Sequence, residues 1–344
     1  MENKSVVILG AGAWGTALGI SFCRARCNVT LLPKFEKEEE ILKKKRINNM
    51  WLPGVSFPEE LTIGPCFDNL KDADIHEKIS ELVNYADAIF VATPSQFMIE
   101  TIHCFKKLIP QSCPIVICAK GFYLDQERQC GLLLSHAIQE IILNPLCCLS
   151  GPNFANEVAT GEYSASVLSS VDISLAKTIA QFICSPRFKV FLNRDIIGVQ
   201  IVGALKNVLA ILCGIANGLK MGQNTIAVLF AQGIAEMSLF IRQYGGLEST
   251  LLGLVLGDVA MTCFSENSRN TALGIKIGHD ELLQDLLKNT HAEGYMTVKT
   301  AYVMSRNLDI QTPVLDTVYN ILYCDSTPEI SIQSLLDSTL INTD

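Results

Sequence analysis

The sequence has little of what a metalloprotein or a nucleic-acid-binding protein requires. Its 13 cysteines include no CxxC pair, its 5 histidines are scattered, and no HExxH motif occurs, so we expect no metal site. Lys and Arg together number 27 against 35 Asp and Glu. The resulting net charge of −8 argues against a nucleic acid or an acidic membrane surface as a partner.

Long apolar segments are missing as well. The start of the chain, MENKSVVILG, lacks the apolar stretch and small-residue cleavage site of a signal peptide. No apolar run reaches the ~18 residues of a membrane span without a charged or polar interruption. We therefore expect a cytoplasmic protein that does not insert into membranes and whose cysteines are reduced and mostly buried.

The order of predicted elements indicates an α/β protein with two domains. A chain of 344 residues with 49% apolar residues is longer than one hydrophobic core usually serves. Short apolar runs alternating with helical segments predict an N-terminal Rossmann-like, doubly wound parallel sheet. The predicted strands are Ser5–Leu9, Asn28–Leu32, Ala88–Ala92, Ile115–Ala119 and Cys147–Leu149; the predicted helices include Trp14–Cys27, Glu36–Arg46, Phe97–Leu108 and Arg128–Leu143. Beyond Asn193 only helices are expected, so we predict a dinucleotide-binding domain over residues 1–195 and an all-helical domain over 196–344.

The first predicted strand ends in a glycine-rich turn, Gly10-Ala-Gly12-Ala-Trp-Gly15. Gly10 would form the tight turn, Gly12 would let the backbone approach a pyrophosphate, and Gly15 would let the helix pack closely on the strand. The N–H groups at the start of that helix would then face an anion. A GxGxxG motif alone is weak and could be a merely structural turn, but its place in a βαβ pattern predicts a dinucleotide.

The end of the second predicted strand bears on which dinucleotide binds. An acidic residue there would accept hydrogen bonds from the ribose hydroxyls of NAD. Here the strand runs Leu31-Leu32-Pro33-Lys34, and no acid appears before Glu36. Lys34 could contact a 2′-phosphate, which favours NADP over NAD, or it could be an ordinary surface lysine.

Polar residues follow three predicted strands at the edge where such sheets bind ligands. The segments are Thr93-Pro-Ser-Gln-Phe97, Lys120-Gly121 and Gly151-Pro-Asn-Phe-Ala-Asn-Glu157. Lys120 comes directly after a buried strand, so its charge is expected in the crevice unless the side chain extends to solvent.

A second lysine, Lys206, lies in the apolar helical segment GALKNVLAI. Its neighbours on the helix face are small residues, which leave room beside the ammonium group. Burial lowers the pKa of a lysine toward neutrality, and a lysine so tuned is a competent general acid or base. The alternative is a lysine paired with a carboxylate for structure alone.

Further along, Asp258 and Ser268-Arg269-Asn270 complete the polar candidates. Asp258 could be the N-cap of an apolar helix, or it could pair with a lysine and hold it in place. The hydroxyl, guanidinium and amide of the triplet suit a phosphate, although such a triplet is also a common helix cap.

Ordered blocks of sequence run through nearly the whole chain. They are GAGAWGTAL at Gly10, TPSQ at Thr93, AKG at Ala119, GPNFANEVA at Gly151, GALKNVLAI at Gly203, NGL and GQNT from Asn217 to Thr225, GIAEM at Gly233, LGD at Leu256, NSRN at Asn267 and EGYMT at Glu293. With these blocks the chain resembles the NAD(P)-dependent glycerol-3-phosphate dehydrogenases, close to the bacterial type. The resemblance implies reversible reduction of dihydroxyacetone phosphate to sn-glycerol 3-phosphate, which supplies phospholipid synthesis. It also implies NADP or NAD as cofactor and a homodimer, with no interface located.

The resemblance also implies roles for individual residues. Lys206 would donate and accept the proton, Lys120 would contact substrate and cofactor, and Asp258 would complete the catalytic set. The expected substrate-binding residues are Lys120, Gly151, Asn153, Lys206, Asp258, Ser268, Arg269 and Asn270. The expected cofactor-binding residues are Gly10, Gly12, Ala13, Trp14, Gly15, Lys34, Phe97, Lys120, Ala155, Arg269, His291 and Glu293.

The chain departs from the family pattern at two of these positions. Asn153 stands where the family usually has serine or threonine, and Leu32-Pro33-Lys34 replaces a more usual Trp-x-Arg or Trp-x-His. The second change leaves the choice between NAD and NADP open. Two rival interpretations are a related two-domain dehydrogenase for a hydroxy acid or sugar acid, and a cofactor-binding sensor without catalysis. The GPNFANE and NSRN blocks argue against the first, and the intact set of Lys120, Lys206, Asp258 and Arg269 argues against the second.

Overall fold

The computed structural model describes residues 3–289 and 292–338, and the chain divides into two compact units. The first unit comprises residues 1–119 and 134–196, and the second comprises residues 120–133 and 197–344. The chain after residue 196 belongs to the second unit. Residues 120–133 belong to it as well, whereas the sequence analysis assigned them to the first.

The first unit is built on an eight-stranded sheet, and a separate two-stranded hairpin lies in the second unit. The ten strands are β1 (Ser5–Leu9), β2 (Asn28–Leu32), β3 (Leu61–Ile63), β4 (Ala88–Val91), β5 (Ile115–Ile117), β6 (Phe122–Asp125), β7 (Cys130–Leu133), β8 (Leu146–Ser150), β9 (Ser164–Ser169) and β10 (Phe188–Asn193). The order in the large sheet is β10-β9-β8-β5-β4-β1-β2-β3. All neighbours are parallel except β8 and β9, which are antiparallel.

Seven helices connect these strands. They are α1 (Ala13–Arg24), α2 (Glu36–Lys45), α3 (Ala73–Asn84), α4 (Ser95–Phe105), α5 (Leu134–Gln139), α6 (Ala155–Thr160) and α7 (Ile173–Ile183). β1 lies between β2 and β4, so the strand order reverses there. Such a reversal point opens the crevice in which doubly wound sheets bind ligands. The core beside it includes Phe22, whose ring lies 4.8 Å from Phe90 and 6.3 Å from Phe188.

The Rossmann-like fold class is confirmed, but one predicted helix is wrong, and strands β3, β9 and β10 were not predicted. The predicted helix over Arg128–Leu143 is wrong, because residues 130–133 form β7 and only Leu134–Gln139 is helical. β7 pairs with β6 and packs against a helix of the second unit, α13 (Glu293–Asn307). A Cβ at Gly131 would lie only 2.4 Å from the Met304 side chain and 3.0 Å from Thr300. This tertiary contact, and not local helical spacing, determines the conformation of the segment.

Apart from that hairpin, the regular structure in the described part of the second unit is helical. Its helices are α8 (Ile196–Gly218), α9 (Gln223–Gln243), α10 (Leu254–Phe264), α11 (Arg269–Gly278), α12 (Leu283–Asn289), α13, α14 (Pro313–Tyr323) and α15 (Pro328–Asp337), with one 3₁₀ turn at Glu248–Leu251. Within the described residues, α8 and α9 are long and apolar enough to cross a membrane by length and composition. Of the most apolar stretch of α8, 94% is buried inside the protein, as in the core helix of a globular protein, against 44% for α9.

The backbones of α8 and α11 pack unusually close together. A Cβ at Gly274 would lie 2.2 Å from the carbonyl oxygen of Ile211, and one at Gly214 would lie 2.3 Å from the carbonyl oxygen of Thr271. Gly218 and Gly278 repeat this arrangement one turn further along. Only glycine permits such an approach, so the relative position of these two helices is tightly fixed.

Candidate active site

Two lysines and an aspartate form a buried cluster in the second unit. Lys206 Nζ donates hydrogen bonds to Asp258 Oδ1 and, over 2.9 Å, to Thr262 Oγ1. Lys120 Nζ donates to the other carboxylate oxygen, Asp258 Oδ2, over 2.9 Å. The exposed fraction is 4% for Lys206 and 2% for Asp258. One carboxylate therefore bridges two ammonium groups, of which that of Lys206 is buried and that of Lys120 is partly exposed.

This arrangement shifts the pKa of each buried member. Burial lowers the pKa of Lys206 to about 7, and the charge of Lys120 contributes in the same direction while Asp258 opposes both. Burial alone would raise the pKa of Asp258, but the two lysines lower it below its usual range. Lys206 can thus gain or lose a proton near neutral pH while Asp258 stays ionised.

Helix α10 positions the carboxylate from within its length. Asp258 lies inside α10, whose N-cap is Gly253, so the alternative that Asp258 is an N-cap is wrong. Thr262 lies one turn later on the same face, and its hydroxyl donates to the Asp258 carbonyl oxygen over 2.6 Å while accepting from Lys206. Thr271 Oγ1 in turn donates to the Thr262 carbonyl oxygen over 2.5 Å, which joins α10 to α11.

A chain of side-chain amides surrounds the lysines. Asn207 Nδ2 donates to the carbonyl oxygen of Lys120 over 3.2 Å, and Asn270 Nδ2 donates to Asn207 Oδ1 over 2.9 Å. Asn270 Oδ1 accepts the backbone N–H of Gly294 over 3.0 Å. These bonds hold the Lys120 backbone, α8, α11 and the first turn of α13 in one network.

The start of α11 carries the Ser268-Arg269-Asn270 triplet. Ser268 is the N-cap, and its Oγ accepts the Thr271 N–H over 3.3 Å. Arg269 is exposed, whereas Asn270 is 8% exposed and its side chain is engaged in the amide chain. The first N–H groups of a helix have no acceptor within the helix, so this end presents backbone donors and a guanidinium group to an anion.

Glu293 and His291 were expected near the cofactor. Glu293 is the first residue of α13, and burial raises the pKa of its carboxyl group, opposed by the charges of Arg269, Lys120 and Lys206. The structure therefore places Glu293 in the electrostatic environment of the lysine cluster. His291 lies outside the described residues.

In the first unit, the glycine turn has the geometry of a phosphate cradle. Gly10 adopts φ 106°, and a Cβ at Gly15 would lie 2.0 Å from the Gly10 carbonyl oxygen. A Cβ at Gly12 would meet no protein atom within 4 Å, so the space beside the turn is open. α1 begins at Ala13, with no side-chain cap and no acidic residue in its first turn. The indole Nε1 of Trp14 is buried and has no hydrogen-bond partner among the described residues. These features fit a dinucleotide pyrophosphate.

Lys34 and Phe97, two further expected cofactor residues, lie together. Lys34 Nζ is 5.3 Å from the ring centroid of Phe97 and 5.5 Å from that of Phe35, and it lies 3.7 Å from Glu100 Oε1. Both rings are exposed, at 42% for Phe97 and 49% for Phe35. The Lys34 ammonium group thus lies near two aromatic rings, in the segment that follows β2. The ribose of a dinucleotide would bind at this end of β2.

The loop after β8 contains the remaining expected residues. Gly151 adopts φ 129°, and a Cβ there would lie 3.0 Å from Ser166 Cα. Asn153 Nδ2 donates to Ser166 Oγ over 2.9 Å, while its Oδ1 is buried and has no hydrogen-bond partner within the described chain. Ala155 begins α6. The loop therefore presents the Asn153 amide oxygen as an acceptor, while the amide N–H₂ group is engaged with Ser166.

Sequence reasoning missed several of these residues. Thr262 could have been found, because it lies four residues after Asp258 on one helix. Asn207 and Asn48 gave no such signal. The Asn48 amide, 4% exposed, donates to the Ala11 carbonyl oxygen over 2.8 Å and to Thr16 Oγ1 over 2.9 Å, and so supports the glycine turn from a distant loop.

A glycine turn at the reversal point of a parallel sheet, together with a helical unit that buries a titratable lysine, defines a two-domain dinucleotide-dependent dehydrogenase. The model of the N-terminal part of NAD-dependent glycerol-3-phosphate dehydrogenase matches residues 5–176, and that of the C-terminal part matches residues 195–333. The chain belongs to the NAD-dependent glycerol-3-phosphate dehydrogenase family.

Individual relatives agree over the whole length. The chain is 33% identical over 342 residues to glycerol-3-phosphate dehydrogenase [NAD(P)+] of Actinobacillus pleuropneumoniae serotype 5b, covering 98% of this chain and 97% of the relative. It is 32% identical to the enzyme of the same name from Chlorobium chlorochromatii, covering 99% and 98%. A crystal structure of glycerol-3-phosphate dehydrogenase from Coxiella burnetii matches with a TM-score of 0.88 and 30% identity, covering 97% of this chain and 99% of that one.

Proposed function

We propose that this protein catalyses the reversible, NAD(P)H-dependent reduction of dihydroxyacetone phosphate to sn-glycerol 3-phosphate. The observation that carries the proposal is the buried Lys206–Asp258–Lys120 cluster, in a chain whose relatives bear the name of that enzyme. A ketone reduction needs a proton donor at the oxygen and positive potential where negative charge develops. Lys206 and Lys120 supply these two requirements.

Lys206 is the proton donor for reduction and the acceptor for oxidation. Its pKa of about 7 lets both protonation states occur near neutral pH. Asp258 and Thr262 hold its Nζ in place, so the proton is presented in a fixed direction. Lys120 adds a second positive charge, which stabilises the developing alkoxide of the substrate.

The start of α11 binds the substrate phosphate in this proposal. Arg269 provides a guanidinium fork, and the first backbone N–H groups of the helix complete the anion site. Asn270 acts mainly through its backbone and through its bond to Asn207, because its side chain already bonds Asn207 and Gly294. Ser268 orients the helix start, and Gly151 with Asn153 contributes an acceptor for a substrate hydroxyl.

The first unit binds the cofactor, which supplies the hydride when bound. Gly10, Gly12 and Gly15 allow the pyrophosphate to approach the start of α1, where the N–H groups of Ala13 and Trp14 are presented. The remaining expected contacts are Phe97, Lys120, Ala155, Arg269, His291 and Glu293. Lys34 favours NADP over NAD, since its ammonium group could pair with a 2′-phosphate.

The wider role follows from the reaction. Glycerol 3-phosphate is the precursor of phospholipids, so we propose that the protein supplies phospholipid synthesis in the cytoplasm. We further propose that it is a homodimer, in keeping with its family.

The decisive test is NAD(P)H oxidation at 340 nm with dihydroxyacetone phosphate, comparing the wild type with Lys206→Met. Loss of the proton donor should lower kcat by about 10²- to 10⁴-fold while cofactor affinity is retained. Lys276→Met, which removes an exposed lysine from α11, is the matched control and should keep wild-type kcat. Near-normal turnover in Lys206→Met would refute the assignment of the donor. Wild-type protein that binds cofactor but turns over only hydroxy-acid or sugar-acid substrates would refute the substrate.

A further inference from the structure

Thr93, to which sequence reasoning assigned no role, lies against the glycine turn. It follows β4, which pairs with β1 so that Leu9 is opposite Val91. Ala92 N–H donates to the Leu9 carbonyl oxygen over 2.8 Å, which extends the pairing to the edge of the turn. A Cβ on Gly10 would lie 3.0 Å from the Thr93 backbone nitrogen. The turn and Thr93 are therefore in direct backbone contact.

The Thr93 hydroxyl is buried but not hydrogen-bonded. Thr93 is 6% exposed, and its Oγ1 has no hydrogen-bond partner in the part of the chain that the structure describes. Other buried threonines nearby behave differently: Thr101 Oγ1 donates to the Phe97 carbonyl oxygen over 2.9 Å, and Thr16 Oγ1 accepts from Asn48. A buried hydroxyl without a partner destabilises a fold, so the group is typical of a site that a ligand completes.

The chemistry of that ligand follows from its surroundings. The Thr93 hydroxyl and the Trp14 indole N–H are both buried with no hydrogen-bond partner among the described residues. Thr93 lies against the glycine turn, and Trp14 is the second residue of α1, whose start has no side-chain cap. A ligand that supplies partners to these groups and to the first N–H groups of α1 must carry acceptor oxygens. A dinucleotide offers these along its pyrophosphate and riboses, whereas an apolar ligand or a cation would leave the donors unsatisfied.

We propose that Thr93 is a further cofactor-binding residue, whose hydroxyl donates a hydrogen bond to an oxygen of the pyrophosphate–ribose backbone of the dinucleotide. This inference rests on the proposed function, because it takes NAD(P) as the ligand of the first unit. The proposed hydrogen bond from Thr93 goes to the pyrophosphate–ribose backbone, which NAD and NADP have in common. The effect of Thr93 should therefore be equal for both cofactors, in contrast to any effect of Lys34.

Thr93→Val tests the proposal, since valine keeps the shape of threonine and removes only the hydroxyl. The dissociation constants of NADH and NADPH would be measured by quenching of tryptophan fluorescence, for which Trp14 and Trp51 are the two reporters. The thermal midpoint would be measured without cofactor. We expect both dissociation constants to rise about 10-fold, the ratio set by one hydrogen bond to a charged or polar acceptor. The midpoint should stay equal or rise, because a buried unsatisfied group is lost.

Thr101→Val is the matched control, since it removes an equally buried hydroxyl that already has a protein partner. Its dissociation constants should equal those of the wild type. Unchanged cofactor affinity in Thr93→Val would overturn the proposal, as would a lower thermal midpoint, which would indicate a structural role for the hydroxyl. Wild-type protein that binds neither cofactor would overturn this proposal and the proposed function together. If wild-type protein binds cofactor but does not reduce dihydroxyacetone phosphate, only the proposed substrate fails, and the comparison of variants still decides the role of Thr93.

Discussion

Gly274→Ala should destabilise the second unit and disturb the active site together. The added methyl carbon would lie 2.2 Å from the Ile211 carbonyl oxygen and 2.9 Å from Gly214 Cα. Both are backbone atoms that cannot rotate away, so α8 and α11 would have to separate by about 1 Å to restore ordinary contact. Overpacking of this kind costs ~1–3 kcal/mol or more, and the better helix propensity of alanine offsets only ~1 kcal/mol. We expect a free energy of unfolding lower by about 2 kcal/mol.

The same separation should reach the active site. α8 contains Lys206 and Asn207, and α11 contains Asn270, whose amide bonds Asn207 over 2.9 Å. Parting the helices by about 1 Å would break that bond, so kcat/KM should fall along with stability. The assays are thermal unfolding, in which about 2 kcal/mol corresponds to a loss of ~4–8 °C, and steady-state kinetics with dihydroxyacetone phosphate.

A second glycine in the same unit supplies the control. A Cβ at Gly257, in α10, would meet no atom within 4 Å, so Gly257→Ala makes the same chemical change without a clash. That variant should be as stable as the wild type, or more stable by up to about 1 kcal/mol. If Gly274→Ala proves as stable as Gly257→Ala, the close contact of α8 and α11 does not constrain the fold as argued.

Two other outcomes follow from the site. Since reduction needs protonated Lys206 and oxidation needs the neutral amine, kcat for reduction should fall above about pH 7 and kcat for oxidation should rise through it. Asp258→Asn removes the anion that raises the pKa of Lys206, so both profiles should move to lower pH; profiles that stay in place would contradict the coupling. Asn48→Ala removes the hydrogen bonds from the Asn48 amide to the Ala11 carbonyl oxygen and to Thr16 Oγ1. We expect weaker cofactor binding and a free energy of unfolding lower by about 1–3 kcal/mol. An unchanged dissociation constant in a fluorescence titration would count against the support of the turn by Asn48.

The features that could be predicted from the sequence are those that depend on a local pattern of residues. β1, β2 and the glycine turn were predicted because each combines a short apolar run with residues of special backbone geometry. Lys206 was found because an ammonium group in an apolar helix is conspicuous, and Asp258 was suggested as its partner. Their ion pair confirms that suggestion. The roles of these residues in catalysis remain predictions.

The features that were missed depend on contacts between distant segments. The β6–β7 hairpin takes its conformation from α13, a partner far along the sequence, and β9 and β10 lack a strong alternating pattern of their own. Thr93 lies in the TPSQ block, yet only the three-dimensional structure reveals that its hydroxyl is buried and has no partner among the described residues. Asn48 supports the glycine turn across 37 positions of sequence, which no local pattern encodes.

The hairpin of residues 120–133 sets an order of events during synthesis of the chain. It carries Lys120 into the second unit, but it leaves the ribosome before residues 134–196 of the first unit and well before α13, its packing partner. The sheet of the first unit can form before the hairpin folds, because the hairpin strands are not part of that sheet. Closing this long loop is an entropic cost that must be met before its contacts form. The lysine cluster can therefore form only after α10 and the hairpin's partner α13 have been synthesised, which is later than every strand of the first unit.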